Sequence, residues 1–450
     1  MAWAHARGAA SSPLASLVAW LTGRLDPWAP KPARWTRCVA WQTNEGEGVT
    51  AVRAEGLFKV FGRGADDAVQ RLRGGASRAD VVAQGATPAV IDASFEVQPG
   101  EIFVVMGLSG SGKSTLIRML NGLLEPTAGH VYVDGVDISG VDAAELRRVR
   151  QQKISMVFQH FALLPHRTVA ENAAYALDVQ GKSKDEQRAR AAEALDLVGL
   201  RGWEDRYPAQ LSGGMQQRVG LARALAAGSD IMLMDEAFSA LDPLIRREMQ
   251  DQLLELQAGL GKTVVFITHD LNEAMRLGDR IAVMRDGRIV QVGTAEEVLR
   301  DPANDYVAQF VADVDRTRVL TASSVMVPAQ LEVNASAGPR VALHGMRDKQ
   351  LSAAFVVSRD RRLRGVVRDD DVVAAVNRGD STLEPIVDAE VASVHPDTVL
   401  AELFAPSAES VLPLAVVDDD DRLLGVIPRV TLLTAMASVA EALPEVEVTR

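Results

Sequence analysis

The sequence predicts an α/β fold, a largely parallel sheet with crossover helices, followed by a smaller repeated α/β module. Three observations predict it. From about 51 to 315, short β-branched runs alternate with amphipathic helical stretches. One such run, Ile102–Met106, leads into the glycine-rich stretch Gly107-Leu-Ser-Gly-Ser-Gly112-Lys113-Ser114-Thr115 and then into a helix. From about 319 onward, a strand, polar turn, glycine-led strand and helix occur twice, 60 residues apart.

A chain of 450 residues is too long for one ordinary core and divides into two or three domains. Its 47% hydrophobic and 24% charged residues are those of a soluble globular protein. A net charge of −12 argues against a surface built to neutralise a phosphate backbone, so no nucleic-acid partner is expected. The single cysteine, Cys38, excludes an internal disulfide and suits a reducing compartment. No run approaches the roughly 20 apolar residues that span a bilayer. Any membrane role is therefore carried by a partner. Residues 1–50 hold five of the six tryptophans. They read as an N-terminal extension, disordered or the product of a start codon called too early, and no function is assigned to them.

Within 51–315 the clear strands are Ile102–Met106, Ile154–Phe158, Ile231–Met234 and Val264–Ile267. An antiparallel element is expected near Val131–Val133 and at Ile281–Met284 with Ile289 and Val290. The interval Val169–Val198 reads as helices with a solvated charged face. The glycine-rich stretch is a P-loop with its strand–loop–helix context present. Its glycines let backbone N–H groups curl around phosphate oxygens, and the helix start adds a favourable dipole. Gly107, Ser109, Gly110, Ser111, Gly112, Lys113, Ser114 and Thr115 therefore form a candidate nucleotide cradle. Lys113 is expected at the β- and γ-phosphates, and Ser114 as a hydroxyl ligand to Mg²⁺.

A second signal is the apolar strand Ile231–Met234 ending in Asp235-Glu236. An acidic pair after a strand is often only a helix start. Beside a P-loop it places Asp235 to hold Mg²⁺, and Glu236 to polarise a water for attack on the γ-phosphate. The third signal is Leu211-Ser212-Gly213-Gly214-Met215-Gln216-Gln217-Arg218, running straight into a helix. Ser212 caps it, and the glycines leave N–H groups open, which makes a second anion-binding helix start.

Here the chain resembles the ATP-binding subunits of ABC transporters over roughly Ala51 to Asp315. Ser212, Gly213 and Gly214 match the family's Leu-Ser-Gly-Gly-Gln signature, with Met215 in place of the last glutamine. The resemblance implies a loop glutamine at Gln159 that senses Mg²⁺ and the membrane partner, and a dimer-contact loop over Ser239–Asp242. It also implies a switch histidine at His269 touching the γ-phosphate, and an adenine-stacking aromatic at Phe61. The implied fold is a P-loop NTPase ABC cassette, a mixed-sheet core with a helical subdomain. The implied catalytic residues are Glu236, His269 and Lys113; the metal is held by Ser114, Gln159 and Asp235, and the cofactors are ATP and Mg²⁺. The implied assembly is a head-to-tail homodimer with each ATP between one P-loop and the other subunit's Ser212 loop. A transmembrane permease and, through it, a substrate-binding receptor are the implied partners, at the cytoplasmic face of the plasma membrane.

Within the family the chain looks most like the glycine betaine/proline (quaternary-amine) importers. Met215, Ala237-Phe238 after the acidic pair, and an insertion over Arg63–Pro88 with short helices at Ala68–Arg71 and Arg78–Val81 carry that likeness. Motors for another solute, such as choline, carnitine or an amino acid, and a soluble ABC ATPase are the alternatives. The repeated tail resembles a tandem CBS module, placed at 319–440 and followed by a short tail at 441–450. In such modules an aspartate six residues past the glycine binds a ribose; Asp371 fits, whereas Thr431 occupies the place in the second copy. From Val319 on there are 12 Lys/Arg against 20 Asp/Glu, with one basic cluster over Arg359–Arg368. Two readings stand for the tail: sensing of ionic strength at an anionic membrane surface, and a purely structural or dimerising role. The segment Phe161–Asn172 is implied to shape the groove for a permease helix.

Overall fold

A computed structural model describes residues 50–440, apart from 160 and 313 and the side chains of 436–440. The expected N-terminal extension and the last ten residues lie outside the described residues. Strand β1 (Val52–Phe61) runs into the expected insertion, helices α1 (Ala65–Arg73) and α2 (Arg78–Val82), and the chain returns as β2 (Thr87–Val97) and β3 (Ile102–Met106). After the P-loop come α3 (Lys113–Leu120), β4 (Ala128–Val133), β5 (Val136–Asp137), α4 (Ala143–Gln152) and β6 (Ile154–Val157). A helical layer follows: α5 (Val169–Ala173), α6 (Tyr175–Val179), α7 (Lys184–Leu197) and α8 (Gly213–Ala226). The unit closes with β7 (Ile231–Asp235), α9 (Pro243–Leu260), β8 (Thr263–Thr268), α10 (Leu271–Leu277), β9 (Arg280–Arg285) and β10 (Arg288–Gly293).

The central sheet has six strands in the order β10-β9-β3-β8-β7-β6, parallel except for β10 on β9. Its strands β3, β7 and β8 are buried along their whole length, as continuous apolar runs in covered parallel sheets are. Alternation sorts their side chains between two cores. Ile102, Val104, Met106, Met232, Met234, Val264 and Phe266 face the helical layer. Phe103, Val105, Ile231, Leu233, Val265 and Ile267 face α3 and an antiparallel sheet ordered β2-β1-β4-β5. The inserted helices pack Val69, Leu72 and Val81 on Phe58, Val60 and Ile91 of that second sheet.

Two helices begin inside their motifs. Helix α3 starts at Lys113 because Gly112, at φ 104°, turns the chain into the helix there. Helix α8 starts at Gly213 because the Ser212 hydroxyl caps the Met215 amide at 3.3 Å. In both places the motif residues occupy the first helical turn, where N–H groups have no intrahelical acceptor.

In the tail the first unit comprises β11 (Glu332–Asn334), α11 (Pro339–Asp348), β12 (Ala353–Val357), β13 (Leu363–Arg368) and α12 (Asp369–Arg378). The second comprises β14 (Ser393–Val394), α13 (Leu400–Glu409), β15 (Leu414–Val417), β16 (Leu423–Ile427) and α14 (Arg429–Ala440). Both sheets pair their first two strands parallel and the last two antiparallel. The leading glycines have a reason. A Cβ on Gly365 would lie 2.2 Å from the Asp388 carbonyl, and one on Gly425 would lie 2.9 Å from the Val327 carbonyl. Each glycine admits a neighbouring chain segment that exchanges paired backbone hydrogen bonds, Val366 with Asp388 and Val426 with Val327, all at 2.9 Å. The hairpin tips also join. Leu363 N–H donates to Asp421 O (2.8 Å), and Leu423 N–H donates to Arg361 O (2.9 Å). Phe355, Val357, Ala415, Leu423 and Val426 form a cluster shared by both units.

Candidate functional site

The parallel strands end at a common edge: Met106 pairs with Thr268, and Asp235 pairs with Ile267. The loops beyond such carboxyl ends form the crevice where ligands of open α/β sheets bind. The P-loop leaves β3 there. A Cβ on Gly107 would lie 2.2 Å from the Met284 carbonyl, and one on Gly112 would lie 2.2 Å from the Ala89 carbonyl. Only glycine fits at either place. Lys113 is 4% exposed, and its ammonium donates to the carbonyls of Gly107 (2.7 Å) and Leu108 (3.2 Å). Burial pulls its pKa below the ordinary lysine value, against the opposing charges of Glu236 and Asp235.

Ser114 Oγ donates to Asp235 Oδ1 at 3.1 Å. Burial raises the pKa of Asp235, and the Ser114 hydrogen bond and the charge of Arg118 pull it back. This pairing of a hydroxyl with a desolvated carboxylate is an oxygen donor set suited to a hard dication. Among the described residues no group of three or more His, Cys, Asp or Glu side chains could hold a metal by itself. Ser111 Oγ is buried without a hydrogen-bond partner, an unmet polar group inside the loop.

Glu236 sits at φ 47°, a conformation that non-glycine residues adopt rarely and that clusters at functional sites. Its amide donates to Ile267 O (3.0 Å), and its carbonyl accepts the Ser239 hydroxyl (2.9 Å). Its carboxylate Oε2 receives Gln159 Nε2 at 3.1 Å and lies 3.1 Å from His269 Nδ1. Gln159 also reaches Ser239 Oγ (3.3 Å). The ends of β6, β7 and β8 thereby place Gln159, Glu236 and His269 in one cluster beside the Ser114–Asp235 pair.

Other expected site residues stand apart from it. Phe61, at the end of β1, is 41% exposed, with Lys59 Nζ 5.4 Å from its ring centre. Among the described residues no hydrogen bond joins Ser212, Gly213 or Gly214 to the P-loop, Glu236 or His269. Asp242 caps α9 by accepting the Ile245 amide (3.1 Å). Ser212 and Gly213 are exposed at the start of α8.

Beside the helical layer lies a groove of about 420 Å³, lined by Leu123, Met156, Phe158, Tyr175, Val179 and Arg223 among others. Leu123, Tyr175 and Val179 are exposed apolar side chains. One wall is held in an unusual conformation: Phe161 and Ala162 have φ of 55° and 48°. Arg223 donates to both their carbonyls, at 3.0 and 2.6 Å. Buried Asn172 fixes the loop beyond, donating to the carbonyls of Leu164, Arg167 and Thr168. Local sequence does not announce the Arg223 clamp, because its acceptors lie about 60 residues away.

Residues 90–239 match the family model described as ABC transporter, and 322–378 match that of the CBS domain. The chain is 51% identical over 387 residues to the glycine betaine transport ATP-binding protein OpuAA of Bacillus subtilis, covering 86% of this chain and 92% of that one. It is 50% identical to the glycine betaine/carnitine transport ATP-binding protein GbuA of Listeria monocytogenes, over 86% of this chain and 98% of the relative. With the glycine betaine/proline betaine transport system ATP-binding protein ProV of Escherichia coli it shares 47% identity, over 84% and 96%.

Proposed function

The chain belongs to the ABC transporter family as an ATP-binding subunit, and from that premise we propose that it powers an importer for glycine betaine/proline-type osmolytes. Hydrolysis of ATP by a pair of such subunits drives a transmembrane permease. No described helix is long and apolar enough to cross a membrane, which fits a subunit that meets the bilayer through its permease at the cytoplasmic face. The groove beside Tyr175 and Val179 is the surface we assign to a permease's cytoplasmic helix. The solute itself is chosen by permease and receptor.

The residues divide the work as follows. Phe61 offers an exposed ring for the base. The P-loop amides and the Lys113 ammonium hold the phosphates, so Lys113 exchanges its bonds to Gly107 and Leu108 for phosphate oxygens. Ser114 and Asp235 would hold Mg²⁺, with Gln159 close by; the ion supplies charge neutralisation at the β- and γ-phosphates. Glu236 accepts a proton from the attacking water as its oxygen bonds to the γ-phosphorus and the bond to the bridging oxygen breaks. His269, 3.1 Å from the Glu236 carboxylate, orients the γ-phosphate beside it. Ser212, Gly213 and Gly214, with Ser212 and Gly213 exposed at the start of α8, serve the nucleotide of a second subunit. ATP bound by both halves holds them closed, and its cleavage lets them part; the power stroke is this difference in affinity between two states.

The observation that carries the proposal is the convergence of Gln159 and His269 on the Glu236 carboxylate, each at 3.1 Å. Glu236→Gln is expected to abolish turnover and to trap an ATP-bound dimer, read by light scattering with ATP and Mg²⁺. A monomeric variant that still hydrolyses ATP would contradict the assigned base.

A further inference from the structure

We infer that Arg246 is a positioning residue that ties the loop facing the second subunit to the turn carrying His269. The inference rests on the dimeric reading above. Arg246 lies in the first turn of α9. Its Nη1 stands 3.2 Å from Asp270 Oδ2, and its Nη2 donates to the carbonyls of Ser239 (3.3 Å) and Leu241 (3.2 Å). Those carbonyls belong to the Ser239–Asp242 turn, at the start of which the Ser239 hydroxyl bonds the Glu236 carbonyl.

Asp270 is the residue after His269. Its Oδ1 accepts the amides of Asn272 (3.0 Å) and Glu273 (3.3 Å), so it caps α10 while its other oxygen meets Arg246. One helical turn beyond Arg246, Gln250 donates to Glu273 Oε1 (3.1 Å). The other Glu273 oxygen accepts the Thr268 hydroxyl, which in turn accepts the Asp270 amide at 2.9 Å. The turn 268–273 is thus gripped at two points by one face of α9.

Only a planar guanidinium presents donors in a fixed fork to a carboxylate and two carbonyls at once. The arrangement has a cost: Arg246 Nε is buried without an acceptor. A displacement of 239–242 on contact with the second subunit therefore reaches His269 through a rigid fork. Engagement of the other subunit sets the histidine of this one.

Arg246→Met, Arg246→Lys and Asp270→Asn in the full chain test this. Each is expected to lower kcat by about tenfold or more, because misplaced catalytic groups cost that much. The KM for ATP stays within about twofold, since nucleotide binding itself is untouched. Lysine, with a single donor head, does not rescue, and Arg246→Met with Asp270→Asn is no worse than either alone. Unchanged kcat in Arg246→Met, or losses that multiply in the double variant, overturn the inference. Should Arg246→Met fail to fold, judged by its melting curve, Arg246→Lys and Asp270→Asn decide on the same criteria. In the Glu236→Gln background Arg246→Met still forms the ATP-bound dimer. Loss of that dimer would mean Arg246 holds the interface rather than the histidine turn, and would also overturn it. If Glu236→Gln alone stays monomeric, the dimeric reading is what has failed, and this inference falls with it.

Discussion

Glu273 is a carboxylate 4% exposed, with a pKa raised by burial despite hydrogen bonds from Thr268 and Gln250 and the nearby charge of Arg246; Asp270 adds to the rise. A group whose folded pKa is raised adds stability below its ordinary value and loses it as pH climbs through the raised one. Glu273→Gln removes the charge, and Gln250 can turn its amide to keep the contact. The variant should therefore melt higher than the parent at neutral pH, by roughly 2–4 °C for each kcal/mol relieved. The gap should close as pH falls below the ordinary glutamate range. A gap independent of pH, followed by calorimetry from neutral to acid, would refute the buried-charge account. At this scale the P-loop was legible because its residues are contiguous and each has one physical job. The left-handed conformation of Glu236 was not, since Gln159 and His269 come from strands 77 and 33 residues away.

The groove beside α6 behaves as an element rather than as a set of residues. Helix α6 and the loop clamped by Arg223 and Asn172 present Tyr175 and Val179 outward. Val179→Asp should leave basal hydrolysis unchanged and stability within about 0.5 kcal/mol, as exposed substitutions do. Stimulation by a reconstituted permease should fall about tenfold or more, as losing an apolar anchor implies. Retained stimulation in nanodiscs would remove the groove from the docking surface. The helical interval Val169–Val198 is legible from its amphipathic pattern, and the strands Ile231–Met234 and Val264–Ile267 from their apolar runs, each strand ending within a residue or so of its observed bounds. The starts of α3 and α8 are set instead by the left-handed backbone of Gly112 and the hydroxyl cap of Ser212; the cap is readable from the motif, whereas an apolar period is blind to both.

For the whole molecule, the tail is the part whose repeat was visible and whose charge was misleading. Of the arginines over 359–368, Arg361 pairs with Glu332 (2.9 Å), and Arg362 pairs with Asp360 (3.0 Å) and Asp420 (3.6 Å). Part of the apparent cationic patch is thus spent inside the tail, which a linear count of charges could not reveal. The glycines were legible as repeat markers, but their purpose was not, since the carbonyls they admit lie in segments distant in sequence. Gly365→Val would drive a side chain into the Asp388 carbonyl, costing about 3 kcal/mol or more as overpacking of a closed backbone does. Hydrogen exchange should then rise in Ala353–Arg368 and Leu414–Ile427 together while ATP hydrolysis persists; exchange confined to the first segment would disprove the joint packing. The reciprocal amide bonds at the two hairpin tips carry that point further. A gene shortened by one copy would not encode a smaller stable module: it would leave the Leu363 and Val327 amides as stranded donors along an open border, a template for clumping.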